Sequence, residues 1–160
     1  MAATSTQTFR AVFQESRACS LQPVVKEPPA EPPSLKVYVL FTEMSETIAA
    51  LRSAVSLSAN LPARIVLLVP LTVPHPLPLE RPPVSLSFVC RRIRELALAV
   101  TLPIEALVYL SRDPHQAVID MLSPASLVVI GSRSRWFFEK SKRIARKLRR
   151  RGHQVVLADF

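Results

Sequence analysis

Five short runs decide what this chain can become: KVYVLF (Lys36 to Phe41), RIVLLV (Arg64 to Val69), IEALVYL (Ile104 to Leu110), SLVVIG (Ser126 to Gly131) and QVVLA (Gln154 to Ala158). Each is rich in β-branched or aromatic residues and apolar at successive positions, which suits a strand buried on both faces. Between them the apolar period lengthens to the helical value. Leu86, Val89, Ile93, Leu96 and Val100 recur at steps of three and four, with Arg91, Arg92 and Arg94 mostly outside. Ser45 is a candidate cap for an earlier helix carrying Ile48, Leu51 and Val55 on one face, stopped at Asn60 to Pro62. Asp113 and Pro114 supply a cap and a first helical residue for a third helix, with Val118, Ile119 and Leu122 inward, and Ile144, Ala145 and Leu148 mark the apolar face of a fourth. Strand and helix alternate throughout, which predicts an α/β domain whose parallel sheet is covered by helices on both faces.

A chain of 160 residues accommodates one such domain and little more. KEPPAEPPS (Lys26 to Ser34) carries too many prolines for a packed element and reads as an extended linker, so residues 1–34 are expected to form a flexible tail and linker and residues 35–160 the domain. Phe9, Val12 and Phe13 could dock a short amphipathic turn on the domain, but three apolar residues bury too little to offset the ordering of the segment. PLTVPHPLPLERPP (Pro70 to Pro83) has six prolines in fourteen residues and is expected to be a loop.

The net charge of +9 is local. Between Arg133 and Arg151 stand ten Lys or Arg against the single acid Glu139, so this segment carries the whole excess and the remainder of the chain is neutral. An electrostatic partner is expected to meet it there, with Arg143, Arg146, Lys147 and Arg150 as the candidate contacts: an acidic protein or another polyanion. Nucleic acid read by sequence is not expected, since one Trp and two Tyr offer few stacking platforms and no recognised module is present. Part of the charge in RKLRRR (Arg146 to Arg151) also simply suits the negative end of a helix. Cys19 and Cys90 fit no metal or redox spacing, and no apolar run reaches the ~20 residues of a membrane span, so a cytoplasmic setting is expected, with a targeting segment at the acid-poor start as the alternative.

In open parallel sheets ligands bind beyond the carboxyl ends of the strands, which directs attention to Thr42 and Glu43, to Arg112 and Asp113, and to Gly131 through Arg135. In those places the chain resembles the universal stress protein family. KVYVLFTEMSE is similar to the family's opening strand and acidic turn, SRDPHQAVI to its Gly-Asp-Pro helix entry, and ASLVVIGSRSR to its fourth strand and Gly-Ser-Arg-Gly-Arg exit. The resemblance covers most of Lys36 to Asp159. It implies a doubly wound sheet of five parallel strands in the order 3-2-1-4-5, frequent homodimers, and ATP binding in members that keep Gly-x2-Gly-x9-Gly-Ser/Thr.

Here that motif is broken. Gly131 keeps the first glycine, Ser134 stands at the second, the third falls near Ser141 with Lys142 after it, and Thr42 replaces the usual acid at the end of the first strand. Backbone amides cradle phosphate closely only where side chains are absent, and the chain's two glycines, Gly131 and Gly152, cannot build such a loop. No cofactor is therefore expected. The alternative is an atypical ATP site in which Arg133, Ser134, Ser141 and Lys142 replace the glycines, meeting phosphate through charge-assisted bonds. Trp136, Phe137 and Phe138 crowd the same loop and are expected in the core or a dimer interface. Catalysis is not expected: His75, His115 and His153 are scattered, and nothing orders Ser132, His115 and Asp113 as a triad.

Overall fold

The computed structural model describes residues 7–13, 19–23, 35–100, 104–132 and 135–159, without the side chains of 11–13, 19–22 and 135–138. They form an α/β fold around one mostly parallel sheet. In chain order the elements are β1 (Gln7–Phe13), β2 (Cys19–Pro23), β3 (Leu35–Leu40), α1 (Met44–Ser58), β4 (Ala63–Thr72), α2 (Leu86–Val100), β5 (Glu105–Ser111), α3 (Pro114–Met121), β6 (Leu127–Ser132), α4 (Arg135–Arg150) and β7 (Gln154–Asp159). The sheet runs β2-β1-β5-β4-β3-β6-β7.

Strand alternation divides the core into two layers. Val37, Val39, Leu67, Val69 and Val129 face α1 and α2, meeting Leu51, Val89, Ile93 and Leu96. Tyr38, Leu40, Val66, Leu68, Val128 and Ile130 face α3 and α4, meeting Val118, Leu122, Ala145 and Leu148. Burial on both faces explains why these strands read as continuous apolar runs.

The sheet corrects the expected five-stranded, wholly parallel one: among the described residues it has seven strands, of which β3 to β7 are parallel and stand in the order β5-β4-β3-β6-β7. The two additional strands come from the expected tail. β1 pairs antiparallel with β5, from Gln7 opposite Leu110 to Ala11 opposite Ala106, and β2 pairs antiparallel with β1. Counting apolar side chains missed this because a bare sheet edge offers a row of backbone hydrogen bonds that needs no particular side chains. Phe9 packs on the core and Arg10 pairs with Glu105 at 3.3 Å. The proline-rich linker, Lys26 to Ser34, lies outside the described residues.

The expected loop from Pro70 is corrected as well, since β4 continues to Thr72, with Pro70 opposite Tyr109. Phe41 N–H donates to the Leu68 carbonyl at 2.8 Å, so Leu68 and, two residues on, Pro70 turn their backbone groups toward β3. By then β3 has ended. The missing N–H of Pro70 therefore costs no ladder bond, and β4 is locally an edge.

Helix α1 buries Ala50, Leu51 and Ala54, a face shifted from the expected Ile48, Leu51 and Val55. Gly131 accounts for the shift. A Cβ at Gly131 would fall against the Glu46 carbonyl oxygen and lie 2.5 Å from its carbon and 3.0 Å from the Glu46 Cα. The α1 backbone at Glu46 thus rests directly on β6, which the missing side chain of Gly131 permits. Gly152 has a different task, closing α4 at φ 88° while its N–H donates to the Arg149 carbonyl.

Candidate functional site

Beyond the carboxyl ends of the parallel strands, local hydrogen bonding commits several of the candidate residues. At the exit of β3, Glu43 and not Ser45 is the cap of α1, and it makes no side-chain capping bond. Thr47 instead fixes the turn into the helix: its Oγ1 donates to the Glu43 carbonyl at 2.6 Å and accepts from the Thr42 amide at 3.2 Å. At the exit of β5, Arg112 Nη1 donates to the carbonyls of Val73 and Pro74 at 2.8 and 3.0 Å, fastening the proline-rich loop. Asp113 Oδ1 accepts from the amides of His115 and Gln116, the capping expected of it. The first amides of α3 are thereby occupied.

Between β3, β4, α3 and α4 lies a crevice of about 280 Å³. Leu40, Val118 and Ile144 contribute apolar surface, and Thr42, Thr72, His115, Lys140 and Ser141 bring polar groups, with Glu43 and Glu46 also on its wall. Thr42 Oγ1 is buried without a hydrogen-bond partner among the described residues. Burial first, and then the Lys140 ammonium, hold the His115 pKa below the ordinary histidine value; Lys147 and Arg143 add to this and Asp113 opposes it. A larger cavity, about 550 Å³, opens on the α1 and α2 side of the same turn, lined by Phe41, Val69, Leu71, Phe88 and Ile93. Its rim residue Arg92 is already engaged with Glu95 at 3.1 Å.

The candidate nucleotide residues are not all brought together. Thr42 and Ser141 share the crevice, Ser141 from inside α4 on its buried stripe with Ala145 and Leu148. Gly131 lies beneath α1 with its open side filled by the Glu46 backbone, and Lys142 lines a different groove beside β7. Arg133 and Ser134 lie outside the described residues, as do the side chains of Arg135, Trp136, Phe137 and Phe138. An anion in the crevice would meet side chains, chiefly Lys140 and a neutral His115, with no glycine face toward it.

Helix α4 sorts its cations into two rows on either side of that buried stripe. Lys140, Arg143 and Lys147 act electrostatically on His115 of α3. Lys142, Arg146, Arg149 and Arg150 line a groove of about 520 Å³ with Leu157 of β7. The four candidate partner residues, Arg143, Arg146, Lys147 and Arg150, are exposed, and among the described residues none has a carboxylate within ion-pair distance. Arg149 was not singled out from the sequence, although its spacing of seven from Lys142 and three from Arg146 puts it in the same row.

No catalytic constellation is assembled from Ser132, His115 and Asp113. The Asp113 carboxylate caps α3, and Ser132, buried with its hydroxyl unpartnered among the described residues, is not on the wall of the crevice that holds His115. Among the described residues no three His, Cys, Asp or Glu are grouped so that they could hold a metal ion, and no helix is long and apolar enough to cross a membrane. No family model matches the chain, and no curated protein does.

Proposed function

We propose that this protein is a non-catalytic binding or regulatory module of the universal stress protein type, which recognises an acidic partner through α4 and does not hold ATP tightly. The observation that carries the reading is the set of exposed cations on α4, Arg143, Arg146, Lys147 and Arg150, which meet no carboxylate among the described residues. Like charges one helical turn apart repel, so the arrangement costs stability in the isolated chain and is relieved when a polyanion binds. The relation to universal stress proteins is supported by the order of the parallel strands, β5-β4-β3-β6-β7, and by the motif remnants around Asp113 and Gly131. Weak nucleotide binding is supported by the packing of Gly131 against the Glu46 backbone.

The test is fluorescence anisotropy with labelled poly-glutamate. Replacing the four cations by Gln is expected to weaken binding at least tenfold, about 1.4 kcal/mol, and raising salt from about 0.05 to 0.3 M should weaken the wild type steeply. The control is Arg91→Gln with Arg94→Gln, which removes exposed cations from α2. Equal losses in the two variants would refute a role specific to α4.

A second reading rests on the crevice. Thr42, His115, Lys140 and Ser141 converge where a ligand of a doubly wound sheet is expected, and ATP held there by side chains alone would make the protein an atypical nucleotide binder.

A further inference from the structure

The two edges of the sheet are treated differently. On one, β1 lies against β5 and β2 against β1, so the chain covers its own parallel strands. On the other, among the described residues, β7 pairs with β6 alone. The Gln154 amide donates to the Ser126 carbonyl at 2.9 Å, so Gln154, Val156 and Ala158 turn their backbone groups toward β6, and the alternate residues Val155 and Leu157 turn theirs outward. Arg149 bears this out: its Nη2 donates to the Val155 carbonyl at 2.9 Å, which lays the guanidinium along the open edge.

Grooves flank that edge. On the α4 side, Lys142, Arg146, Arg149 and Arg150 surround Leu157 in about 520 Å³. Beside α1, Ser45, Ile48, Ala49, Arg52 and Asp159 line about 480 Å³. An added strand sends alternate side chains to opposite faces, so its two sets of side chains would enter two different environments, one densely cationic and one mixed. A second copy of this chain fits the cationic side poorly. Two-fold antiparallel pairing of β7 with itself extends the sheet and sets α4 and its copy antiparallel on the same face, so the cationic row of Arg146, Arg149 and Arg150 on each chain faces the row of the other across the seam.

We propose that the outer edge of β7 docks an extended acidic segment of a partner protein by strand addition, with its acidic side chains in the groove of Arg146, Arg149 and Arg150 and the alternate side chains toward α1. This rests on the reading of α4 as the site of an acidic partner, and adds the backbone contacts and the register.

The test uses the full chain and a labelled peptide of about eight residues alternating Glu and Thr, near the length of a strand. Two further versions carry the same charge but are N-methylated, one at every Glu amide and the other at every Thr amide. Only alternate amides of an added strand face β7. One methylated peptide is therefore expected to bind at least about tenfold more weakly than the parent, and the other to stay within about threefold of it. Equal affinities of the two methylated peptides would overturn strand addition while leaving α4 as an acidic-partner site; absence of binding by the parent peptide would overturn both. A duplex DNA that binds more tightly than the parent peptide at equal salt, or a native dimer that the peptide dissociates in sedimentation, would equally overturn the proposal, because the edge would then belong to nucleic acid or to a second copy.

Discussion

Gly131→Ala separates two reasons why this position is glycine. The added methyl would lie 2.5 Å from the Glu46 carbonyl carbon and 3.0 Å from its Cα, closer still to the carbonyl oxygen, and all of these are backbone atoms that no rotamer change can move. Carbon atoms rest at about 3.5 to 4.0 Å, so α1 must withdraw from β6 by about 1 Å or more. That displacement loosens the contacts of Ala50, Leu51 and Ala54 with the core, all of them almost fully buried. Overpacking of this kind costs roughly 1–3 kcal/mol, and backbone as the obstacle puts the expectation at about 3 kcal/mol or above. At about 2–4 °C per kcal/mol, the melting temperature should fall by roughly 6–12 °C. Urea unfolding followed by circular dichroism measures the loss, with Gly152→Ala as the comparison. There nothing lies within 4 Å and only the positive φ is strained, so the cost should be about 1–2 kcal/mol. If Gly131→Ala loses less than about 1 kcal/mol, the packing argument is wrong and the glycine must serve something outside the core.

Four other outcomes are expected. In an NMR titration His115 should show a pKa below 6.5, moving upward with salt as Lys140, Lys147 and Arg143 are screened; a value at or above 6.5 would contradict the placement of α4 beside α3. Because the folded value lies below the unfolded one, the contribution of His115 to stability is complete above about pH 6.5 and is lost as pH falls through the folded value, a dependence that His115→Gln should abolish. Tyr109 is fully buried with its hydroxyl unpartnered among the described residues, and burial, followed by Tyr38 and Glu105, pushes its pKa far up; Tyr109→Phe should leave the melting temperature unchanged or raise it, and a drop of more than about 3 °C would mean the hydroxyl has a partner. Asp113→Ala removes the acceptor of two amides and should cost about 1 kcal/mol by urea unfolding, while Asp113→Asn should restore most of it.

Where periodicity or a cap determines an element, the sequence was sufficient. Leu86 to Val100 forms α2 with Val89, Ile93 and Leu96 buried, and Asp113 with Pro114 opens α3. Elements that depend on backbone rather than side chains escaped it. β1 and β2 join because β5 offers an unpaired edge, and Pro70 stays in β4 because β3 has already turned away. The candidate site was legible as a list of residues and not as an arrangement. Gly131 stands ten residues before Ser141 and Lys142 directly after it, yet one lies under α1 and the other beside β7, and only the folded chain shows that helix α4 turns Ser141 and Lys142 onto different surfaces. The same geometry divides the basic run into a row facing His115 and a row facing β7, a division that net charge conceals.

The central claim is that anionic partners meet the side chains of α4, the glycine cradle for a nucleotide being absent. Calorimetric titration of nucleotide-free protein with ATP and magnesium at physiological salt addresses it most directly. The account predicts no saturable heat and no thermal stabilisation at millimolar ATP. Stoichiometric binding near 1 μM, about 8 kcal/mol, abolished by Arg133→Ala with Lys142→Ala, would contradict it and establish the protein as a nucleotide binder.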